Sequence, residues 1–386
     1  MRFSRPALLA LAASLPGCGG STAPSDGLTI AVTPAVLGSF SGHPGLHQYS
    51  ALVTDAGGAI QSNLVLDWSV SPSSTGINVL PSGLVGVLAT AQPGDYAVRA
   101  STGGATGSAL LRVLPAPTGR IYFSSGGRSA ALYVKDFSNA EDALALSITT
   151  GTITGIEVNP SAGILVLGRG FAPDADIYRM NLDGSGVVKL TTDGAGNQSP
   201  VFHPVTGEIY FSRRAPGDPV TQIWKMAIDG SGLIRVTTGD QNKSLPAISP
   251  DGQRLAWSET YPGANGELVT ATIQGTSPVR LTDRPGNDSE PHWISNSRVT
   301  WSGMVGSNLE IFAADLSASG VPMNLTQHPD ADTGPSRGCS SGTITFLSRR
   351  GGKVFGGYQL DLATGLVTEY VLPTDWAMGI ARRVCP

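Results

Sequence analysis

Residues 176–186 read Asp176-Ile-Tyr-Arg-Met-Asn-Leu-Asp-Gly-Ser-Gly186, and the string returns as Gln222-Ile-Trp-Lys-Met-Ala-Ile-Asp-Gly-Ser-Gly232. A looser copy stands at Glu310-Ile-Phe-Ala-Ala-Asp-Leu316. Apolar residues alternate with polar ones, the pattern of a strand with one buried face, and Asp183-Gly184 and Asp229-Gly230 supply the positive backbone angles of a tight primed hairpin turn. Two ladders carry the repeat outward. Phe123, Leu167, Phe211, Trp257, Trp301 and Leu347 follow at steps of 44, 44, 46, 44 and 46. Tyr133, Tyr178, Trp224, Val269, Phe312 and Tyr358 follow at 45, 46, 45, 43 and 46. Both count six units of about 45 residues, the length of one four-stranded propeller blade. Helical solenoids are excluded, because no unit carries an apolar stripe at helical spacing.

The outermost strand of each unit places a basic residue between apolar ones, as in Val188-Lys-Leu-Thr191, Ile234-Arg-Val-Thr237 and Val279-Arg-Leu-Thr282. That is how a sheet edge is guarded. Leu245-Pro-Ala-Ile-Ser-Pro-Asp-Gly252, running to Leu255-Ala-Trp257, completes a pattern of proline-led inner strand, turn, aromatic strand and closing Leu-Thr. On these motifs residues 120–386 resemble the TolB-type six-bladed propeller repeat. The first unit opens at Arg120 with its second strand, so Trp376–Val384 is expected to return as its innermost strand and close the ring. Cys339 and Cys385 would then lie just beyond neighbouring inner strands, an even pair suited to a disulfide; two free buried thiols are the alternative.

Upstream, residues 28–114 alternate short apolar runs with turns: Leu28–Thr33, Tyr49–Thr54, Leu64–Val70, Ile77–Leu80, Leu84–Leu88, Tyr96–Ala100 and Ala109–Leu114. Seven strands fit an immunoglobulin-like sandwich, with Trp68 as its core plug. Val32-Thr33-Pro34, Ala51-Leu52-Val53-Thr54-Asp55, Leu66-Asp67-Trp68-Ser69 and Pro93-Gly94-Asp95-Tyr96 resemble the group 2 bacterial immunoglobulin-like domain, a module of surface spacers and adhesion units. Residues 115–119, with Pro115 and Pro117, read as a stiff linker. The expected fold class is all-β, an N-terminal immunoglobulin-like β-sandwich followed by a six-bladed β-propeller.

Residues 1–18 carry Arg2 and Arg5, then an apolar stretch from Ala7 to Leu15, the layout of an export signal. Leu15-Pro16-Gly17-Cys18 resembles a bacterial lipobox, which implies acylation of Cys18; an ordinary cleaved signal that discards Cys18 is the alternative. Gly19, in place of an aspartate, points to an outer-membrane lipoprotein facing the periplasm or the cell surface. Residues 19–27 form a small polar tether.

The 386 residues hold 50 glycines and 27 prolines, with 40% hydrophobic and only 14% charged residues. Twenty-five basic against 29 acidic residues give a net charge of −4, which argues against a nucleic-acid partner. No apolar run after the N-terminus is long enough for a membrane-spanning helix.

The candidates for chemistry are sparse. Gly338-Cys339-Ser340-Ser341-Gly342 matches the nucleophile-elbow string but falls where other units turn between strands, not before a helix. His43, His47, His203, His292 and His328 hold non-equivalent positions, and Pro44 and Gly45 forbid a helix that would align the first two on a metal. Asp174 with Asp176, and Asp330 with Asp332, read as turn chemistry rather than calcium loops. Asn197, Asn242 and Asn287 recur at steps of 45 and read as one repeated turn position. Arg169, Arg213 and Arg349 share a position just past the second strand, with Arg214 and Arg350 beside two of them. On one face of a propeller they would cluster at the ring mouth and receive an acidic partner, or else tie each blade's own turn. The expectation is a monomeric, non-catalytic binding protein without cofactor or metal, whose partner is an envelope protein or glycan. The rivals are a polysaccharide lyase or hydrolase working in the channel, and a purely structural module. Against catalysis stands the lack of a clustered histidine or carboxylate set on the inner strands. The chain lacks the N-terminal α/β domain of TolB, so that protein's role does not transfer.

Overall fold

In the repeated hairpin Gly184 and Gly230 take φ of 88° and 89°, while Asp183 and Asp229 stay out of the left-handed region. Gly184 N–H donates to Asn181 O at 3.0 Å and Asn181 N–H to Ser185 O at 2.9 Å. The loop is therefore a three-residue connection with one left-handed glycine, not the primed two-residue turn the sequence pointed to. Asp183 Oδ1 accepts the Ser185 N–H at 2.9 Å, and Asp229 does the same for Ser231. The aspartate side chain caps the turn, and a second left-handed glycine, Gly186 or Gly232 with φ of 64° or 68°, leads into the outer strand.

The computed structural model describes residues 27–42, 44–125, 131–138, 144–146, 151–170, 173–260, 265–316, 321–352, 354–370 and 378–384. Among them there is no α-helix, and the chain is all-β. Six four-stranded antiparallel arrays follow one another around a ring. From the channel outward, blade two is Ile153–Asn159, Ile164–Arg169, Asp176–Asn181 and Val188–Lys189. Blade three is Gly196–Phe202, Ile209–Arg214, Gln222–Met226 and Ile234–Arg235. Blade four is Asn242–Ile248, Arg254–Thr260, Gly266–Thr272 and Val279–Arg280. Blade five is Asp288–Trp293, Arg298–Val305, Asn308–Asp315 and Met323–Asn324. Blade six is Asp332–Arg337, Thr343–Ser348, Gly356–Asp361 and Val367–Tyr370. Blade one takes Met378–Val384 as its inner strand, beside Arg120–Ser125, Leu132–Asp136 and Leu144–Ala145. The tail pairs antiparallel with Arg120–Ser125, placing Tyr122 opposite Arg382, and so closes the ring as its leftover strand implied.

The first ladder is the inter-blade core. Phe123, Leu167, Phe211 and Trp301 are fully buried and Trp257 nearly so; in blade six register puts Phe346, opposite Tyr358, at this position in place of the expected Leu347. Truncating one such aromatic costs about 3–5 kcal/mol. The closing threonine of each unit explains itself in blades two to five. Thr191, Thr237, Thr282 and Thr326 each accept the N–H of Ile177, Ile223, Leu268 or Ile311 at 2.9–3.0 Å. Each hydroxyl also donates to Asp176, Gln222, Glu267 or Glu310 at 2.6–2.8 Å. One side chain thereby pins the short outer strand to the third.

Residues before the propeller form a two-layer sandwich. Gly45–Gln48, Leu84–Val87 and Ile77–Val79 make one sheet; Val36–Phe40, Ala105–Leu114, Gly94–Thr102 and Asp67–Ser71 make the other; Thr29–Thr33 pairs with Ser50–Thr54. Tyr49, Val85, Val98 and Leu111 are its fully buried centre. Trp68 is only half-buried and packs at the margin, against Gly83, so the core plug is Tyr49. Two strands escaped the sequence, Val36–Phe40 and Gly45–Gln48. The first matters most. Gly38 pairs in parallel with Thr368 of blade six, so the larger sandwich sheet runs on into that blade. Phe40 stacks on Tyr370 with ring centroids 5.4 Å apart, and Ile121, Phe123, Phe137 and Leu347 complete the shared core.

Candidate binding site in the central channel

The arginines past the second strands do not form one free cluster. Arg213 is 4% exposed. Its Nη1 donates to Asp193 Oδ1 at 3.0 Å and Asn197 Oδ1 at 2.9 Å, Nη2 pairs with Asp193, and the guanidinium lies 5.2 Å from the Trp224 ring. Arg350 Nη2 meets Asp332 Oδ2 at 2.7 Å and stacks 5.4 Å from Phe346. Arg284 braces blade five in the same way, 2.8 Å from Asp288 and 3.8 Å from the Phe312 ring. These guanidiniums tie their own blades. Arg169 lies 5.6 Å from the Tyr178 ring. Arg214 and Arg349 remain exposed, with Arg214 Nε donating to Asp218 O at 3.2 Å and Arg349 over Phe355 at 4.8 Å. Strand register corrects the alignment as well. Asn197 opposes Arg213 and Asp332 opposes Ser348, so Arg349 corresponds to Arg214 and not to Arg213. Asn242, opposite Thr260, likewise sits one position before Asn197's equivalent. Asn242 and Asn287 accept the N–H of Thr221 and Gly266 at 3.0 and 2.7 Å, which is the turn role expected of them.

The inner strands carry what the sequence ladders passed over. Each is kinked by a register shift, and in four blades the kink is a left-handed residue before proline: Ser199, Leu245, Glu290 and Gly334, with φ of 51°, 54°, 57° and 62°. Leu245 N–H is received by Ser212 Oγ of blade three, and Gly334 N–H by Ser302 Oγ and Glu290 Oε2 of blade five, all at 3.0 Å. Glu290 Oε2 also accepts from Ser302 Oγ at 2.6 Å and Thr333 Oγ1 at 2.7 Å. These groups surround a cavity of about 110 Å³ on the channel axis.

Below the kinks, register aligns one residue per blade: Arg382, Glu157, Val201, Ala247, His292 and Ser336, opposite Tyr122, Val166, Tyr210, Ala256, Thr300 and Thr345. Arg382 Nε donates to Glu157 Oε2 at 3.0 Å. Burial pushes the Glu157 carboxyl up, and Arg382 opposes that shift. Burial, with the charges of Arg382 and Arg337, drives the His292 imidazole down to about 3, so it is neutral. Ser336 Oγ shares a 2.6 Å hydrogen bond with Thr345 Oγ1. The inner strands thus do hold ionisable groups at equivalent positions, against the sequence expectation, but one of each kind rather than a repeated set. Six-fold bookkeeping looks for recurrence and misses single departures.

The next residue down is Val158, Phe202, Ile248 and Trp293 in blades two to five, each packed into an apolar cluster. Blade six puts exposed Arg337 there. Arg337 lies over a funnel of about 550 Å³ rimmed by Pro160, Pro204 and Pro250, with His292 and Arg382 at its floor.

The remaining candidates are structural. The turn 338–342 leads into the strand Thr343–Ser348, and Thr343 Oγ1 donates to Ser340 O at 2.7 Å, so no nucleophile elbow exists. His203 Nε2 contacts Gly252 O at 3.1 Å across blades, and its Nδ1 accepts two turn N–H groups. His328 Nδ1 accepts the Asp330 N–H at 3.1 Å. Asp176 and Asp332 are taken by Lys189 and Arg350. Among the described residues no group of three or more potential metal ligands gathers. Cys339 is disulfide-bonded. Cys18, His43 and Cys385 lie outside the described residues.

The sequence matches no protein-family model, and no curated protein is similar to it. Solved structures are similar in fold. TolB from Acinetobacter baumannii superposes with a TM-score of 0.54 at 16% identity, over 79% of this chain and 80% of that one. A chain of the nidogen/laminin complex gives 0.54 at 13% identity, over 69% and 97%. Hydrazine synthase of Kuenenia stuttgartiensis gives 0.57 at 12% identity, over 69% of this chain and 46% of that one. At such identities the likeness shows a shared all-β propeller architecture and transfers no activity.

Proposed function

We propose that the chain is an exported binding protein of the bacterial cell envelope, lipid-anchored through Cys18, whose propeller engages a protein partner at a mouth of its channel and performs no chemistry. The observation that carries this is the state of the channel's ionisable groups. Glu157 is held by Arg382, and His292 is neutral with its pKa far below any working pH, so no acid and base stand poised together. Loop-built propeller mouths are suited to recognition. The signal-like N-terminus supports export.

Site-specific photocrosslinking from both mouths in intact cells, with mass identification, tests the proposal. One recurrent envelope protein, lost from the membrane fraction with Cys18→Ser, is expected. Turnover of a polysaccharide by the purified mature chain would overturn it.

A further inference from the structure

We infer that the funnel beneath Arg337 is a carboxylate-binding site for an extended polypeptide segment. This rests on the binding proposal above and names its ligand.

Three independent features meet there. First, Arg337 replaces a packed apolar residue: at the same register step blades two to five pack Val158, Phe202, Ile248 and Trp293 into apolar clusters, and only blade one, with Arg383, also departs from them. A charge at a position the four middle blades fill with apolar side chains indicates something other than packing. Second, the Arg337 guanidinium forms no hydrogen bond or ion pair with a described residue, whereas those of Arg213, Arg284, Arg350 and Arg382 are all engaged. Third, the floor does not oppose its sign. Glu157, the one carboxylate of the ring, is neutralised by its ion pair with Arg382, and His292 is a neutral ring. A guanidinium fork in a concave, partly desolvated setting is the group that receives a carboxylate.

The walls select the carrier. Pro160, Pro204 and Pro250 provide no N–H, and Phe202 and Ile248 are apolar. A glycan needs many donors and acceptors around each sugar, and here the Ser336 hydroxyl and the Arg382 guanidinium are already engaged with Thr345 and Glu157. A narrow peptide, apolar along its length and anionic where it meets Arg337, fits better.

The test uses the purified mature chain immobilised on beads and two randomised heptapeptide libraries, one with free C-terminal carboxylates and one amidated, with oligogalacturonate as a third probe. Enrichment from the free-acid library alone assigns the ligand to a chain terminus; enrichment of Asp and Glu from the amidated library assigns it to a side chain; either supports the inference. Arg337→Gln is expected to weaken the selected peptide at least ten-fold and Arg337→Lys less, with thermal midpoints unchanged and Arg349→Gln without effect. Retention of neither library, retention of oligogalacturonate only, or indifference to Arg337→Gln overturns it. If the in-cell crosslinking still yields its partner in that case, the binding proposal stands and the funnel is not the site.

Discussion

Blades two to five and the region that closes the ring face the same physical problem, a sheet edge open to solvent, and meet it differently. In the four middle blades the outer strand is two residues long and is pinned by a threonine to an acidic or amide side chain at the head of the third strand. Lys189 and Arg280 reach back to the same carboxylates, and Arg235 to Asp218. Every part of that device lies within about twenty residues of chain. In blade six the third strand opens with Gly356, which has no side chain to receive a threonine, and the outer strand Val367–Tyr370 is longer. Its edge is covered by the sandwich strand Val36–Phe40, more than three hundred residues away. Blade one borrows its inner strand from the other end of the chain. Repeats stabilise themselves locally; closure depends on non-local pairing.

That contrast gives a ranked set of outcomes. The largest concerns the tail. Deleting residues 371–386 strips the inner partner from Arg120–Ser125 and exposes the fully buried Phe123 and Tyr122. The full chain is expected to unfold in urea in one cooperative propeller transition, followed by tryptophan fluorescence, and the truncated chain to lose or split it. A truncated chain with an unchanged midpoint would show that the blades stand without closure.

Next comes a middle blade. Thr282→Val removes the hydroxyl that serves Leu268 N–H and Glu267 Oε2 while Arg280 stays on Oε1. Leaving a buried N–H and one carboxylate oxygen unsatisfied costs about 2–3 kcal/mol. Amide exchange should quicken in Gly266–Thr272 and Val279–Arg280 alone. A loss spread evenly over all six blades would erase the distinction between local and non-local support.

A smaller effect probes the covered edge. A Cβ at Gly38 would stand 2.1 Å from Thr368 Oγ1. Gly38→Val is expected to cost about 1–3 kcal/mol through overpacking. Exchange should rise in Val36–Phe40 and Val367–Tyr370 but not in blade four, and protease cutting in residues 115–119 should follow.

The same division governs how much the sequence disclosed. The ladder from Phe123 to Trp301, the six units and the returning tail were all legible because each repeats or completes a repeat; its last rung is Phe346, one residue before the expected Leu347. The Leu-Thr ending was visible too, although its partner, the residue opening each third strand, had no evident purpose before the hydrogen bonds were seen. Val36-Leu-Gly-Ser-Phe40 was not legible, because Gly38 and Ser39 interrupt its apolar character, and at Gly38 the partner strand leaves no room for a side chain. The site followed the same rule. Arg169, Arg213 and Arg349 drew notice by an apparent recurrence, but register separates Arg349 from the other two, and Arg213 is part of its blade's construction. Glu157, His292, Arg337 and Arg382 occur once each, and only register brings them together. A signal was available in Arg337, a charge at a step that blades two to five fill with Val158, Phe202, Ile248 and Trp293, had the inner strands been aligned by their prolines.

The smallest outcome separates the two regions by pH. His292, in a middle blade, has its pKa lowered to about 3 by burial and by Arg382 and Arg337; His47, in the sandwich beside blade six, is lowered to about 4 by burial. In the unfolded chain both titrate near 6.5. The folded state therefore binds fewer protons below that value, and stability falls as pH drops from 6.5 toward 4 for His47 and toward 3 for His292. Each imidazole contributes up to about 1.4 kcal/mol per pH unit inside its window, and about 1 kcal/mol over the first unit below 6.5. Urea midpoints between pH 7 and 5 should therefore decline, and His292→Gln should flatten the decline for the ring. His47→Gln should instead slow acid-induced amide exchange in Gly45–Gln48 and leave Asp288–Trp293 as it was. If His47→Gln flattens the global curve as strongly as His292→Gln, the sandwich and the middle blades unfold as one unit, and the non-local edge is as firmly held as the local ones.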